Sequence, residues 1–208
     1  MGHEGMAVAA VRYLRAVGAP LSVAPTVEEA VLAEEAAEPA LQEAAENRQL
    51  RDALGHFATG ITVITAAGED GQPVGFACQS FSSLSLDPPL ICFNVARTST
   101  SWPRIARAGA FCVNVLADDQ GELCRSFAVS ASTGADKFAG VAWQAAPATG
   151  SPRLEGALAW VDCTIHAVHT GGDHLIVLGR IRELAAPRGE QAGPLVFYRS
   201  NFRQLREQ

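Results

Sequence analysis

The sequence lacks most of the short signatures that announce a chemistry. It has no G-x-G-x-x-G, no P-loop and no G-x-S-x-G, so neither a Rossmann dinucleotide site nor a serine hydrolase is supported. Its five cysteines are odd in number and show no C-x-x-C spacing. Cys92, Cys112 and Cys163 sit inside apolar runs, where a free thiol behaves as a small hydrophobe. They are expected to be reduced, which points to a cytoplasmic protein. Apolar runs fall far short of the roughly 18 to 20 residues that span a bilayer. Met6–Val11 is too short and poorly flanked for a signal peptide. A basic surplus is missing as well. The net charge is −6; residues 1–50 hold eight acids against three bases, and the rest hold 14 against 13. A nearly neutral body with an acidic arm gives no electrostatic footprint for nucleic acid.

What is present suits one globular domain with an appendage: 208 residues, 48% hydrophobic and 18% charged. Residues 1–40 are rich in Ala and Glu and punctuated by Pro20, Pro25 and Pro39. They read as an N-terminal extension, helical or partly disordered, with helix starts near Met6 and at Thr26-Val27-Glu28-Glu29. The main domain is then 41–208. It opens with an amphipathic helix over Ala40–Phe57, on which Leu50, Leu54 and Phe57 recur at helical spacing and which Gly60 closes. After Gly60 the period changes. Ile61–Thr65, Val74–Cys78, Leu90–Val95, Phe111–Leu116, Ala159–His169, His174–Glu183 and Leu195–Tyr198 read as strands. Short helices are predicted over Thr98–Arg107, capped by Ser99 or Ser101 with Pro103 in the first turn, and over Gln120–Phe127. Many short strands with hairpin turns and few helices indicate a mainly β antiparallel barrel or sandwich.

The stretch from Gly75 to Pro89 organises the rest. It opens as an apolar strand, becomes a hydroxyl-rich run and stops at a double proline. Five of the eight residues from Ser80 to Asp87 carry a side-chain oxygen, with Phe81, Leu84 and Leu86 interleaved. Such a segment can lay a ring against apolar side chains while hydroxyls and amides bind its polar edge; the same residues also suit a surface turn. A metal site among Cys163, His166, His169, Asp173 and His174 is disfavoured. On a strand the odd separations diverge, and Cys163 and His169 would stand roughly 20 Å apart. His174, just after Gly171-Gly172-Asp173, stands at the mouth of a hairpin, either reaching a ligand or simply exposed. Arg97-Thr98-Ser99-Thr100-Ser101-Trp102 joins a strand to a helix and offers a phosphate cradle or plain helix capping.

The ordered set Gly60–Thr65, Gly75–Pro89, Phe111–Leu116, Asp136-Lys137-Phe138, Gly172-Asp173-His174 and Pro194–Arg199 resembles the short-chain flavin reductases of two-component aromatic monooxygenases. The wording of Gly75–Phe81 and Val168–His174 is similar to the actinobacterial seco-steroid hydroxylase type. The likeness covers about residues 47–203. It implies a split β-barrel of Greek-key type, usually a homodimer with FMN or FAD near the subunit boundary. By this resemblance Gln79, Ser80, Phe81, Ser82, Ser83 and Ser85 would hold the isoalloxazine and ribityl chain. Arg97, Thr98, Ser99 and Ser101 would take the phosphate, and Lys137 and Phe138 would lie near the outer end of the cofactor. Asp173 and His174, the latter as the catalytic residue, would face the nicotinamide of NADH (or NADPH), with Tyr198 and Arg199 completing that side. The implied activity is an NAD(P)H:flavin oxidoreductase supplying reduced flavin to a separate monooxygenase. An oxidase that keeps its flavin and a non-catalytic flavin carrier remain as alternatives.

Overall fold

A computed structural model describes residues 46–129, 136–189 and 192–205. The expected extension over residues 1–40, with both its helices, lies outside the described residues. The chain divides into two compact units, Met1–His56 and Phe57–Gln208. In the first, residues 46–54 form helix α1. Its last turn closes with Gly55 N–H donating to the Arg51 carbonyl at 2.8 Å. The helix thus ends sooner than Phe57, at Gly55 and not at Gly60. Gly60 instead belongs to a strand, which needs its N–H and C=O for pairing.

The second unit is mainly β. A seven-stranded antiparallel sheet runs in the order β3-β2-β6-β9-β10-β5-β4. Its strands are β2 (Thr62–Ala67), β3 (Pro73–Cys78), β4 (Ser82–Leu86), β5 (Pro89–Ala96), β6 (Ala110–Val115), β9 (Ala159–Gly171) and β10 (His174–Ala185). Two small sheets flank it. One joins β1 (Thr59–Gly60), β11 (Val196–Tyr198) and β12 (Asn201–Arg203), and the other is the hairpin β7 (Trp143–Ala145) with β8 (Pro152–Leu154). Helices α2 (Trp102–Ala108) and α3 (Gly121–Ala128) cross between strands. Among the described residues no helix is long and apolar enough to cross a membrane.

The β-branched run in β2 is explained by burial on both faces. Ile64 enters a core with Phe93, Phe111, Ile105 and Val177, whereas Val63 packs the other way with Leu116, Phe127 and Leu195. Phe93 is the hub of the inner core. It lies 6.1 Å from Phe76 of β3, 5.2 Å from Phe111 of β6 and 6.2 Å from Trp102 of α2, centroid to centroid. Contact between β3 and β5, which are not paired in the sheet, means that the sheet curls on itself. It does not close, and this is a split barrel.

Polar side chains set the register inside. Asn114 is fully buried; its Nδ2 donates to Thr65 Oγ1 at 3.0 Å and to the Val63 carbonyl at 3.2 Å, and its Oδ1 accepts Leu154 N–H at 2.7 Å. Thr65 completes the node by bonding the Pro152 carbonyl. Asp162, equally buried, accepts Ala148 N–H and Thr149 N–H at 2.9 and 3.0 Å and holds the loop after β7. Asn114, Thr65 and Asp162 are thereby satisfied, which is the usual condition for carrying a polar group in a core.

Two further expectations are corrected. The hydroxyl-rich run is strand β4, since it forms a hairpin with β5 across a turn holding a cis Asp87–Pro88 peptide. A bulge between Ser83 and Ser85 interrupts that pairing. Strands β1, β7, β8 and β12 were not expected, being only two or three residues long each. The two serines offered as caps divide the work: Ser101 holds the N-cap position with its Oγ donating to the Gly75 carbonyl, and Trp102 N–H donates to Ser99 Oγ at 3.2 Å.

Gly179 is a point of close packing in the curled sheet. A Cβ there would stand 2.5 Å from Phe111 Cζ and 2.9 Å from Ile91 Cδ1, both on side chains buried in the core. Gly179→Ala is therefore expected to lower stability by about 1–3 kcal/mol through overpacking, read as a lower urea midpoint with an unchanged slope.

Candidate active site

A cleft of about 670 Å³ opens where β3 ends. Its lining comprises Phe76–Ser80 on one wall, Asn94–Ala96 and Ser99 on the other, and Gly171, His174 and Ile176 from the β9–β10 hairpin. Local sequence explains each wall. β3 runs apolar until Cys78 and then turns away at Gln79-Ser80. β5 carries Asn94 as its one exposed polar residue in an otherwise apolar strand. The hairpin tip is a two-residue turn in which Gly172 adopts φ +67°, a conformation open to glycine without strain.

Polar contacts order the cleft. Ser80 Oγ accepts Asn94 N–H at 2.8 Å and reaches the Asn94 carbonyl at 3.1 Å. Arg97 N–H donates to the Asp173 carbonyl at 2.9 Å, tying the end of β5 to the hairpin tip. His174 Nδ1 lies 2.8 Å from Asp173 Oδ1. This hydrogen bond holds the Asp173 carboxyl below its ordinary value, so Asp173 is ionised above that range and accepts. Nδ1 then carries the proton, and Nε2 is left as the nitrogen available to a ligand. Cys78, at the base, has its thiol pushed up by burial.

Of the residues singled out in the sequence, Gln79, Ser80, Ser99 and His174 meet in this cleft. Ser82, Ser83 and Ser85 continue along β4, beyond the turn, after Phe81. Arg97, Thr98 and Asp173 border the cleft in sequence without lining it. Ser101, Lys137 and Phe138 line a separate cavity of about 220 Å³ further back along β3, with Gly75 and Arg104. There Lys137 Nζ donates to the Phe127 carbonyl at 3.1 Å and to the Gly75 carbonyl at 3.4 Å, and its pKa is lowered by burial. Tyr198 and Arg199 sit at the β11–β12 hairpin, Arg199 at φ +49°. Sequence reasoning missed Asn94 and Ile176. Asn94 was detectable as a lone amide within Leu90–Val95; Ile176 carried no signal beyond its strand. Among the described residues no three metal-ligating side chains converge.

The flavin reductase like domain family matches residues 54–206, nearly the whole of the second unit. The chain belongs to the flavin reductase family. It is 50% identical over 160 residues to HsaB, the reductase subunit of a flavin-dependent monooxygenase of Rhodococcus jostii, covering 77% of this chain and 78% of that one. Its fold is similar to the nitrilotriacetate monooxygenase component B homologue of Mycobacterium thermoresistibile, with TM-score 0.73 and 44% identity, covering 79% and 89% of the two chains. It is also similar to the NADH:FAD oxidoreductase SgcE6 of Streptomyces globisporus, solved with NAD and FAD fragments. That match has TM-score 0.71 and 33% identity and covers 78% and 94%. The protein is thus an NAD(P)H-dependent flavin reductase, of the kind that forms the reductase component of two-component monooxygenases.

All five cysteines of this flavin reductase are free. Cys112 and Cys163 belong to different cores on opposite faces of the sheet, so they cannot pair. Burial, with the nearby Asp162 charge second, pushes the Cys163 thiol up to about 12 and raises Cys112 further. A raised pKa keeps these thiols protonated, and therefore unreactive, at every pH below that value. Thiol titration of the native protein with a disulfide reagent near pH 8 should give its fast phase from half-buried Cys92, with all five reacting only after denaturation.

Proposed function

We propose that this flavin reductase transfers hydride from NADH to FMN or FAD as a dissociable substrate, and delivers the reduced flavin to a separate monooxygenase acting on an aromatic or phenolic compound. The observation that carries the reading is the cleft itself. Phe76, Val95 and Ile176 offer an apolar surface for a ring system, Gln79, Asn94 and Ser99 offer polar groups at its rim, and a Cβ at Gly171 would press on Ile176 at 3.1 Å. These residues fit a flavin. When bound, flavin supplies the two-electron acceptor that no side chain of the protein can provide.

In this reading the chain's own residues bind and orient. Gln79, with Phe81, Ser82, Ser83 and Ser85 along β4, would take the ring and ribityl side. Arg97, Thr98 and Ser99 would take the phosphate. Asp173 fixes the tautomer of His174, whose Nε2 then orients the nicotinamide or moves a proton at the cleft mouth. Lys137 and Phe138 would lie toward an adenine extension, if FAD is used. The reading includes a homodimer, in which a second copy supplies the side of Tyr198 and Arg199 that one chain leaves outside its cleft. It also includes a cytoplasmic location and a main domain over residues 41–208. NADH is favoured because no basic cluster lies beside Asp173 to take a 2′-phosphate.

The test is NADH oxidation by purified protein with excess FMN, FAD or riboflavin added in turn. A rate that saturates with added flavin is expected. Tightly held flavin with no response to added flavin would instead indicate an oxidase, and binding without NADH oxidation a carrier. His174→Ala is expected to lower kcat/KM for NADH by about 10- to 100-fold while retaining measurable turnover; unchanged kinetics would remove His174 from the site.

A further inference from the structure

We propose that Ser80 is a positioning residue whose hydroxyl makes no hydrogen bond to the flavin: it locks the β3–β4 corner onto β5, and Gln79 beside it is the side chain that reads the ligand. This rests on the assignment of the cleft to flavin given above. The corner is where the chain changes partners. β3 pairs with β2 up to Cys78, and β4 pairs with β5 from Ser82 onward. Ser82 stands opposite Cys92 and Ser83 opposite Ile91. Continuing that register backwards sets residue 80 opposite Asn94. The backbone rung expected there is absent, and the Ser80 side chain takes its place: Asn94 N–H donates to Oγ at 2.8 Å and Oγ lies 3.1 Å from the Asn94 carbonyl. β4 covers β5 no further than Cys92, so Asn94 is the next outward rung of β5; without Ser80 its N–H would be unpaired and its carbonyl left with the Cys78 thiol at 3.9 Å.

Counting hydrogen bonds then excludes the ligand. A serine hydroxyl has one proton and two acceptor sites. The proton goes to the Asn94 carbonyl, and one acceptor site takes Asn94 N–H. The remaining site faces Cys78 Sγ at 3.3 Å. Either atom can donate across that contact, and the same thiol also lies 3.9 Å from the Asn94 carbonyl, so sulfur covers the third site whichever way the proton points. The hydroxyl is thus used up within the protein. Gln79, next in the chain and lining the same cleft, is exposed and makes no side-chain hydrogen bond to the described residues. Its amide presents both donors and an acceptor to whatever enters. The lock joins the two walls of the cleft at one point, so its loss widens the gap without removing any ligand-facing group.

The test compares Ser80→Ala, Ser80→Thr and Gln79→Ala by steady-state kinetics and by amide exchange of Asn94 in flavin-free protein. Ser80→Ala is expected to raise the flavin KM about tenfold, the scale of one lost hydrogen-bond pair, with kcat and the NADH KM within about twofold. In the same variant Asn94 N–H should exchange at least about tenfold faster before any flavin is added, and Ser80→Thr should restore both. Gln79→Ala should raise the flavin KM and leave Asn94 exchange unchanged. A rise in KM for Ser80→Ala with Asn94 exchange unaltered would overturn the proposal, because the hydroxyl would then act on the ligand directly. An unaltered flavin KM would overturn it equally. Should Ser80→Ala fail to fold, Asn94 exchange in the wild type decides: an unprotected amide sinks the lock. Absence of flavin turnover in the wild type would sink the functional assignment instead, and leaves the exchange test standing.

Discussion

The structure depends on a change of partner made within a few residues. At Cys78 the chain is hydrogen-bonded to β2 on one side of the sheet, and by Ser82 it is hydrogen-bonded to β5 on the other. A strand can make that switch only if the sheet has already curled enough to bring β3 and β5 together. The packing that enforces the curl is aromatic, with Phe93 meeting Phe76, Phe111 and Trp102 at once. Because the corner crosses the gap, the gap cannot be filled by a regular ladder, and a cleft is the result. Fold and site therefore have one cause.

That link explains which parts of the architecture could be read from residues alone. β2, β5, β6, β9 and β10 were legible because they are buried on one or both faces, and burial writes β-branched and aromatic residues into the sequence. β4 was not legible as a strand. Its Ser82-Ser83-Leu84-Ser85-Leu86 is mostly exposed, so no apolar alternation was demanded, and its extended form is imposed by pairing with β5. β7, β8 and β12 are held by tertiary contacts such as the Asn114 node, which a local pattern cannot register. At α1 the stop came at Gly55 because the nearer glycine ends the helix first, freeing Gly60 to pair with β11.

The cleft was legible in the same partial way. Gln79, Ser80, Ser99 and His174 stand out as polar residues where strands end, and chain geometry gathers strand ends. Asn94 belongs to the middle of a strand and faces the cleft only because β4 stops short of it. The two serines of the α2 entry show the limit of reading by type. Ser99 and Ser101 are equivalent as letters, yet one accepts the Trp102 N–H at the cleft and the other, at the N-cap position, is buried on the carbonyl of Gly75. Lys137 makes the same point: its ammonium is tied to backbone carbonyls of α3 and β3.

Those ties on Gly75 have a consequence for how the molecule behaves among its own copies. An open sheet has two free margins, each a template on which a foreign strand can add. On the β3 margin, the Gly75 carbonyl is already occupied by Ser101 and Lys137. On the β4 margin, the bulge at Ser83–Ser85 breaks the rhythm of outward amides and carbonyls. Each margin is interrupted by a different device, so strand addition meets a broken row on either side of a barrel that is never closed.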